Sequence, residues 1–213
     1  HKADLRQRQM CIRDSYLPPH VIRYYGDDGR ALLTASRDRS LRLTSVVRDS
    51  RSYELSQGSI ESRAKRMALD AASLKLPPVA SLSFSTTRSR DWDDVLTTHR
   101  EDRFARTWSV RDKRMNTTPL GAVRGKRERA VATASCVSAC GNFALLGTSH
   151  GRVEKFNMQS HIHRRTMRLG DDAAVVDVVS DALNRVCIVG TQAGALCFLD
   201  FVSGELLART ELG

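Results

Sequence analysis

The chain is 213 residues long, with 41% hydrophobic residues and a formal net charge of +10. It contains no apolar run near the ~18 residues that a membrane-spanning helix needs, and its first residues lack the apolar segment of a secretory signal. Arginine supplies 28 of the 34 basic residues. This balance favours a polyanionic partner, nucleic acid above all, because basic side chains release counterions from phosphates. A basic proteome or contacts with acidic proteins would also explain it, since the basic residues do not interleave with aromatic ones.

The first 17 residues have no strand or helix period. Residues 1–17 are polar and rich in arginine, and we expect them to be disordered or a leader foreign to the native chain. Residues 18–47 then form a first repeating unit. Its three short apolar runs, separated by turn residues, are 21–25, 31–36 and 41–43.

Residues 48–78 are predicted to be an insertion outside the repeating units. Apolar residues recur there at mixed helical spacings, with basic residues on the remaining faces. We expect a short helix or a flexible arm, because a loop longer than ~15 residues is usually either functional or disordered. The candidate contacts to a protein or RNA partner are Arg63, Lys65 and Arg66, and a solvated loop is the alternative.

Residues 79–115 are predicted to be a second unit. The Asp91-Trp92-Asp93 sequence precedes a strand, whereas Thr107-Trp108 stands where a WD-type blade closes its third strand. The neighbouring aspartates could suggest a divalent-cation site, but no further ligands follow at a suitable spacing.

A second basic segment, residues 116–130, is predicted to be a linker. Gly121, Gly125 and Pro119 argue against a regular helix, and charged linkers are usually solvated. If the protein touches RNA directly, this linker is the first candidate. The residues proposed for that contact are Arg124, Lys126, Arg127 and Arg129.

Residues 131–169 and 170–213 are predicted to be two further units, the best formed of the chain. His161 and His163 alternate as metal ligands on one strand face would, but no third ligand joins them in sequence. The chain has neither a nucleophile elbow nor a phosphate-binding glycine loop, so we expect no enzymatic activity, no metal and no cofactor. Its five cysteines lie mostly in predicted strands, which favours reduced thiols and a cytoplasmic or nuclear location.

The spacing of the turns indicates a repeat. Candidate structural turn residues are Asp38, Asp102, Gly151 and Gly194, at intervals of 64, 49 and 43 residues. A period of ~40 to 50 residues with four short strands is typical of propeller blades. We therefore predict an all-β fold: a partial WD40-type β-propeller of about four blades, forming an open arc, with a long basic or helical insertion. Because rings of WD repeats usually need more blades, we expect a fragment of a longer protein.

Several phrases resemble one family. Residues 32–43 resemble the strand, turn and strand of a WD-repeat blade. Four more phrases occur in the order typical of the WD-repeat protein of the UTP-B module of the small-subunit processome: Glu54-Leu-Ser-Gln-Gly58, Asp91-Trp-Asp-Asp-Val-Leu-Thr-Thr-His99, Cys140-Gly-Asn-Phe143 and Phe156-Asn-Met-Gln-Ser-His-Ile-His-Arg164. The resemblance covers about Pro18 to Leu207. It departs from the family at His161, where the family usually has glycine, and in its arginine-rich segments.

The resemblance implies a non-catalytic scaffold subunit of the small-subunit processome, needed for ribosomal RNA precursor processing and small-subunit biogenesis. It implies a nuclear, nucleolar location. The implied partners are other UTP-B WD-repeat subunits, together with precursor rRNA and the box C/D small nucleolar ribonucleoprotein, directly or through partners. No membrane or small-molecule substrate is expected. Two alternatives stay open: an RNA-binding protein that uses its basic linkers, and a generic WD-repeat adaptor such as a ubiquitin-ligase substrate receptor.

Overall fold

Four antiparallel sheets follow one another along the chain. The structure is a computed structural model that describes residues 18–121 and 130–212. The prediction for residues 1–17 lies outside these residues. The described residues include one short α-helix and no helix with the length and hydropathy needed to cross a membrane.

The first two sheets contain nine strands. The first sheet consists of β1 (Pro19–Tyr25), β2 (Ala31–Ser36), β3 (Leu41–Ser45) and β4 (Tyr53–Glu54). The helix α1 (Ile60–Met67) lies between it and the second sheet. The second sheet consists of β5 (Val79–Phe84), β6 (Val95–His99), β7 (Phe104–Ser109), β8 (Arg114–Met115) and β9 (Leu120–Gly121). Both β8 and β9 pair with β7, so together they form an interrupted fourth strand.

The last two sheets have four strands each. The third consists of β10 (Ala132–Val137), β11 (Phe143–Thr148), β12 (Arg152–Asn157) and β13 (His163–Arg168). The fourth consists of β14 (Val175–Ser180), β15 (Val186–Thr191), β16 (Ala195–Asp200) and β17 (Leu206–Glu211). Short 3-10 turns lie at Asp49–Arg51, Ala71–Leu74 and Thr86–Arg88.

The sheets pack through their first strands. β10 lies against both β5 and β14, and β1 lies against β5. Each sheet is a meander whose strands follow in sequence order, so its fourth strand lies at the opposite edge from the packed first strand. This arrangement is consistent with partial propeller blades.

The core lies between successive sheets rather than within one of them. Trp108 and Leu33 are fully buried between the first and second sheets, and Leu146 between the second and third. Leu145 and Leu199 are fully buried between the third and fourth sheets. Because burying one leucine side chain contributes about 2 kcal/mol, these three layers are the main source of stability.

One glycine permits the close approach of the last two sheets. A Cβ atom on Gly147 would lie 2.3 Å from Val175 Cγ1. Real Cβ atoms do not approach a neighbour so closely, so a larger residue there would push the third and fourth sheets apart.

The predicted long insertion at residues 48–78 is wrong in its extent. Tyr53 and Glu54 form β4 and pair with β3. Leu55 is fully buried, and its N–H donates to Leu41 O at 2.8 Å. The helical part is only the eight residues of α1. Two paired residues give no visible period-2 pattern, which is why this fourth strand was missed.

A turn precedes the fourth strand of the last sheet, β17, which begins at Leu206. The Asp200 carboxylate accepts hydrogen bonds from the N–H groups of Val202 (2.9 Å) and Ser203 (2.5 Å). Such an aspartate turns the chain at 201–203 before the strand can begin.

Candidate interaction surface

The two predicted aspartates lie in the turns between second and third strands. Asp38 accepts a hydrogen bond of 3.0 Å from the Ser40 N–H and one of 2.6 Å from the Ser40 hydroxyl. Asp102 accepts from the Phe104 N–H at 3.0 Å and forms an ion pair of 3.2 Å with Arg106. Both carboxylates hold a tight turn closed.

The two predicted turn glycines have left-handed backbones. Gly151 has φ +61° and Gly194 has φ +81°. A Cβ atom on Gly151 would lie 2.1 Å from the Asp171 carbonyl oxygen, whereas one on Gly194 would meet nothing within 4 Å. Gly151 is therefore required by both conformation and space, and Gly194 by conformation alone.

The predicted basic contacts of the insertion lie on α1. Arg63, Lys65 and Arg66 are all exposed there, while Ala64 faces inward and is buried. The segment after the helix is tied to the first sheet, because the Arg39 guanidinium donates to the carbonyl oxygens of Ala72 and Lys75. The other four predicted contacts, Arg124, Lys126, Arg127 and Arg129, lie outside the described residues.

The acidic and histidine residues considered as metal ligands are engaged in structural contacts. Asp93 Oδ2 accepts from Thr107 Oγ1 at 2.6 Å and from Asn116 Nδ2 at 2.8 Å. His161 Nε2 lies 3.3 Å from Thr107 Oγ1, so it links the third sheet to the second. Within the described ranges, no group of three or more potential ligands is arranged to hold a metal ion.

A buried chain of hydrogen bonds crosses the second sheet, and the sequence analysis did not identify it. Trp108 Nε1 donates to Thr97 Oγ1 at 2.8 Å, and Thr97 Oγ1 lies 3.0 Å from His99 Nε2. His99 Nδ1 lies 2.7 Å from the Pro77 carbonyl oxygen. Since a carbonyl only accepts, Nδ1 carries the proton, and the neutral Nε2 accepts from the threonine hydroxyl. Burial lowers the pKa of His99, which favours this neutral form.

A second buried contact joins the first sheet to the second. The Tyr25 hydroxyl donates to Asp94 Oδ2, and Asp94 Oδ1 accepts from the Val110 N–H at 3.0 Å. Burial raises the pKa of both Tyr25 and Asp94. The only local sequence signal for these contacts was the presence of polar residues in and beside the largely buried strands β6 and β7. They hold the sheets together and form no catalytic arrangement.

The pockets are small and open. A pocket of about 290 Å³ lies at the outer edge of the third sheet and is lined by Phe143, Lys155, Asn157, Arg164, Arg165 and Val202. Another of about 550 Å³ lies beside the start of α1 and is lined mainly by serine, glycine and charged residues. Their shallowness favours contact with macromolecules over enclosure of a small molecule.

Comparison with known proteins gives a consistent result. Residues 20–213 match the family model described as the WDR36/Utp21 second beta-propeller domain. The chain is 40% identical over 200 residues to the "U3 small nucleolar RNA-associated protein 21 homolog" of Schizosaccharomyces pombe, covering 93% of this chain and 22% of the relative.

The chain matches two further relatives over a similar share of its length. The chain is 34% identical over 197 residues to the human "WD repeat-containing protein 36", covering 90% of this chain and 22% of that protein. It is 31% identical over 196 residues to "U3 small nucleolar RNA-associated protein 21" of Saccharomyces cerevisiae, covering 92% of this chain and 20% of that protein. The chain thus spans about a fifth of the length of these relatives.

Proposed function

The chain belongs to the family of the WDR36/Utp21 second beta-propeller domain, and on this basis we propose that it is part of a non-catalytic scaffold subunit of the small-subunit processome. The protein acts in ribosomal RNA precursor processing and small ribosomal subunit biogenesis. The observation that carries this proposal is the family match, which extends over residues 20–213.

The four sheets act in this proposal as blades of an incomplete WD40-type propeller that forms an open arc. Its outer faces support this view, because they expose apolar side chains that further blades would cover. In the first sheet Ile22 and Tyr24 are 51% and 65% exposed, and in the fourth Val176 is 62% exposed. A rigid frame with loops at both ends suits a protein that holds several partners at once.

The partners in this proposal are other WD-repeat subunits of UTP-B, and the location is the nucleolus. Two of the relatives are named for their association with U3 small nucleolar RNA. The protein contacts precursor rRNA and the box C/D small nucleolar ribonucleoprotein directly or through these subunits. The proposed role requires neither a membrane nor a small-molecule substrate.

Two alternative functions predict experimental results that differ from those of the scaffold. An RNA-binding protein would use the basic residues of α1 and the 116–130 linker, and a generic adaptor would recruit unrelated partners such as ubiquitin-ligase subunits. Depletion of the protein, followed by northern analysis of precursor rRNA, tests the scaffold role. Unprocessed small-subunit precursors should accumulate while large-subunit precursors mature normally. Normal processing of both would contradict the proposal.

A further inference from the structure

Two exposed valines lie at the tip of the first sheet. Val46 and Val47 belong to the turn between β3 and β4, and their exposed fractions are 59% and 64%. The turn is held in place, because the Ser45 N–H donates to the Ser52 hydroxyl at 3.0 Å and the Arg48 N–H donates to the Ser45 hydroxyl at 3.2 Å. Apolar side chains that are exposed together, unlike single ones, indicate a contact surface.

Two turns of the second sheet adjoin this tip. Tyr53, where the first turn ends, donates from its hydroxyl to the Val110 carbonyl oxygen at 2.9 Å. Lys113 Nζ lies 4.5 Å from the centroid of the Tyr53 ring. Arg111 donates to the Arg90 carbonyl oxygen at 2.5 Å. The turns between β3 and β4, β5 and β6, and β7 and β8 are therefore neighbours at one end of the two sheets.

These three turns carry an excess of exposed positive charge. Their exposed aspartates are Asp49, Asp91 and Asp112, and their exposed cations are Arg48, Arg51, Arg88, Arg90, Arg111, Lys113 and Arg114. Asp91 is paired with Arg88 at 3.3 Å, and Asp112 with Arg111 at 3.2 Å. In the part of the chain that the structure describes, Arg48, Arg51 and Arg90 form no ion pair. These three guanidinium groups are thus open to an anionic partner.

An acidic turn limits this surface on the far side of the valines. Asp27 and Asp28 lie between β1 and β2, and Asp28 is paired with Arg30 at 3.8 Å. The Val46 N–H donates to the Arg30 carbonyl oxygen at 2.9 Å, so this turn is the direct neighbour of the valines. An acidic partner must therefore contact the valines from the side of the second sheet, where the arginines lie.

The aromatic rings of the surface offer little room for a nucleotide base. Trp92 and Tyr53 are both half-buried. Arg88 Cζ lies over the Trp92 ring at 5.6 Å from its centroid, and Lys113 Nζ lies over the Tyr53 ring. Binding of single-stranded RNA relies on open rings on which bases stack, whereas apolar side chains flanked by arginines suit a protein interface. A carboxylate, like a phosphate, accepts two parallel hydrogen bonds from a guanidinium group.

We propose that the surface defined by Val46, Val47, Arg48, Arg51 and Arg90 binds an acidic segment of a protein partner that also carries apolar side chains. The valines pack against the apolar side chains of the segment, and the arginines pair with its carboxylates. The proposal rests on the scaffold function and deepens it, since it gives the chemistry of one partner. It concerns neither α1 nor the 116–130 linker.

The test measures the binding of three labelled probes to the intact purified protein by fluorescence anisotropy. The first probe is a 12-residue peptide of eight glutamates and four leucines, and the second is a 12-residue polyglutamate. The third is a 12-nucleotide single-stranded RNA of mixed sequence. The leucine-containing peptide should bind at least about tenfold more tightly than polyglutamate, because only it can use the valines. This measurement does not depend on rRNA processing, so its failure would leave the scaffold function standing.

The charge of the surface is tested by Arg48→Gln with Arg51→Gln. Both side chains are exposed and form no described ion pair, so the fold should be unaffected. This variant should bind both peptides about tenfold more weakly. The matched control is Arg37→Gln with Arg100→Gln, which removes the same charge from exposed turns at the opposite end of the two sheets. The control should match the unmodified protein, and an equal weakening by both variants would overturn the proposal.

The apolar part is tested by Val46→Thr with Val47→Thr, which keeps the branched shape and adds two hydroxyl groups. This variant should bind the leucine-containing peptide about fivefold more weakly and polyglutamate as tightly as before. An unchanged affinity for the leucine-containing peptide would overturn the proposal, as would failure of that peptide to bind more tightly than polyglutamate. Tighter binding of the RNA than of either peptide, lost in the Arg48 and Arg51 variant alone, would overturn it in favour of RNA.

Discussion

Trp108 Nε1 donates a hydrogen bond of 2.8 Å to Thr97 Oγ1, and both side chains are fully buried. The neighbouring Thr98 is fully buried too, but its hydroxyl has no hydrogen-bond partner among the described residues. The Thr97 hydroxyl therefore accepts a buried hydrogen bond, whereas the adjacent Thr98 hydroxyl does not. This difference makes the two residues a matched pair for mutation.

Thr97→Val should lower the free energy of unfolding by about 2 kcal/mol, because it leaves the indole N–H and the His99 acceptor buried and unpaired. Thr98→Val should be neutral or stabilising, since it replaces an unpaired buried hydroxyl with a methyl group. Urea denaturation followed by tryptophan fluorescence measures both. Equal losses in the two variants would show that the Trp108 hydrogen bond contributes nothing specific.

Two substitutions of His161 provide a second comparison of stability. Its φ is +56°, a left-handed conformation that costs a non-glycine residue about 1 kcal/mol. His161→Gly should therefore be more stable than His161→Ala by about 1 kcal/mol, because both variants lose the contact with Thr107 and only glycine relieves the backbone. The two midpoints of chemical denaturation give this difference directly. An alanine variant as stable as the glycine variant would contradict the assigned backbone conformation.

The turn glycines should differ in their tolerance of a methyl group. Gly194→Ala should cost about 1 to 2 kcal/mol of stability from its backbone conformation alone. Gly151→Ala should cost more than about 3 kcal/mol, because its Cβ would also collide with the Asp171 carbonyl oxygen. Thermal unfolding of the two variants checks the order. A smaller loss at Gly151 than at Gly194 would rule out the close packing of that turn.

Acid should destabilise the fold through the buried His99 and the half-buried His161. Burial lowers the pKa of His99 and His161 below the usual 6.5, so the unfolded chain binds more protons than the folded one at mildly acidic pH. The free energy of unfolding should therefore fall as pH decreases below about 6.5. Asp94 has the opposite effect, because its pKa is raised above 3.8.

Substitution isolates the histidine contribution from that of Asp94. The fall in stability between pH 7.5 and pH 5, measured by urea denaturation at each pH, should be smaller in His99→Gln than in the unmodified protein. An unchanged fall would show that His99 is protonated in the folded state.

Lys155 is a buried charge that an apolar residue should replace without loss of stability. Methionine has a similar volume, fits between Phe143 and Phe201, and removes the repulsion with Arg165. Since an apolar residue often replaces a buried charge without loss, Lys155→Met should change stability by less than about 1 kcal/mol. Urea denaturation of the variant and of the unmodified protein gives this difference. A loss of several kcal/mol would show that the buried ammonium group is required between the two rings.

The sequence predicted the repeating sheets more completely than the contacts between them. Glycine and aspartate turns between short apolar runs are local signals, and they were sufficient to predict strands such as β1, β2 and β3. Strand β4 was missed because two residues cannot show a period, although Leu55 beside it is fully buried.

The contacts between sheets depend on distant parts of the chain. Tyr25 and Asp94 are 69 residues apart, and nothing local to either residue indicates the other. The position of Arg168 opposite Arg152 likewise becomes visible only when the register of β13 with β12 is known.

We propose that the chain belongs to a scaffold subunit of the small-subunit processome. The decisive experiment is affinity purification of the tagged intact protein from nuclear extract, with and without nuclease. We predict a stable set of WD-repeat processome subunits that survives nuclease treatment. Recovery of ubiquitin-ligase subunits in their place, or loss of all partners on nuclease treatment, would contradict the claim.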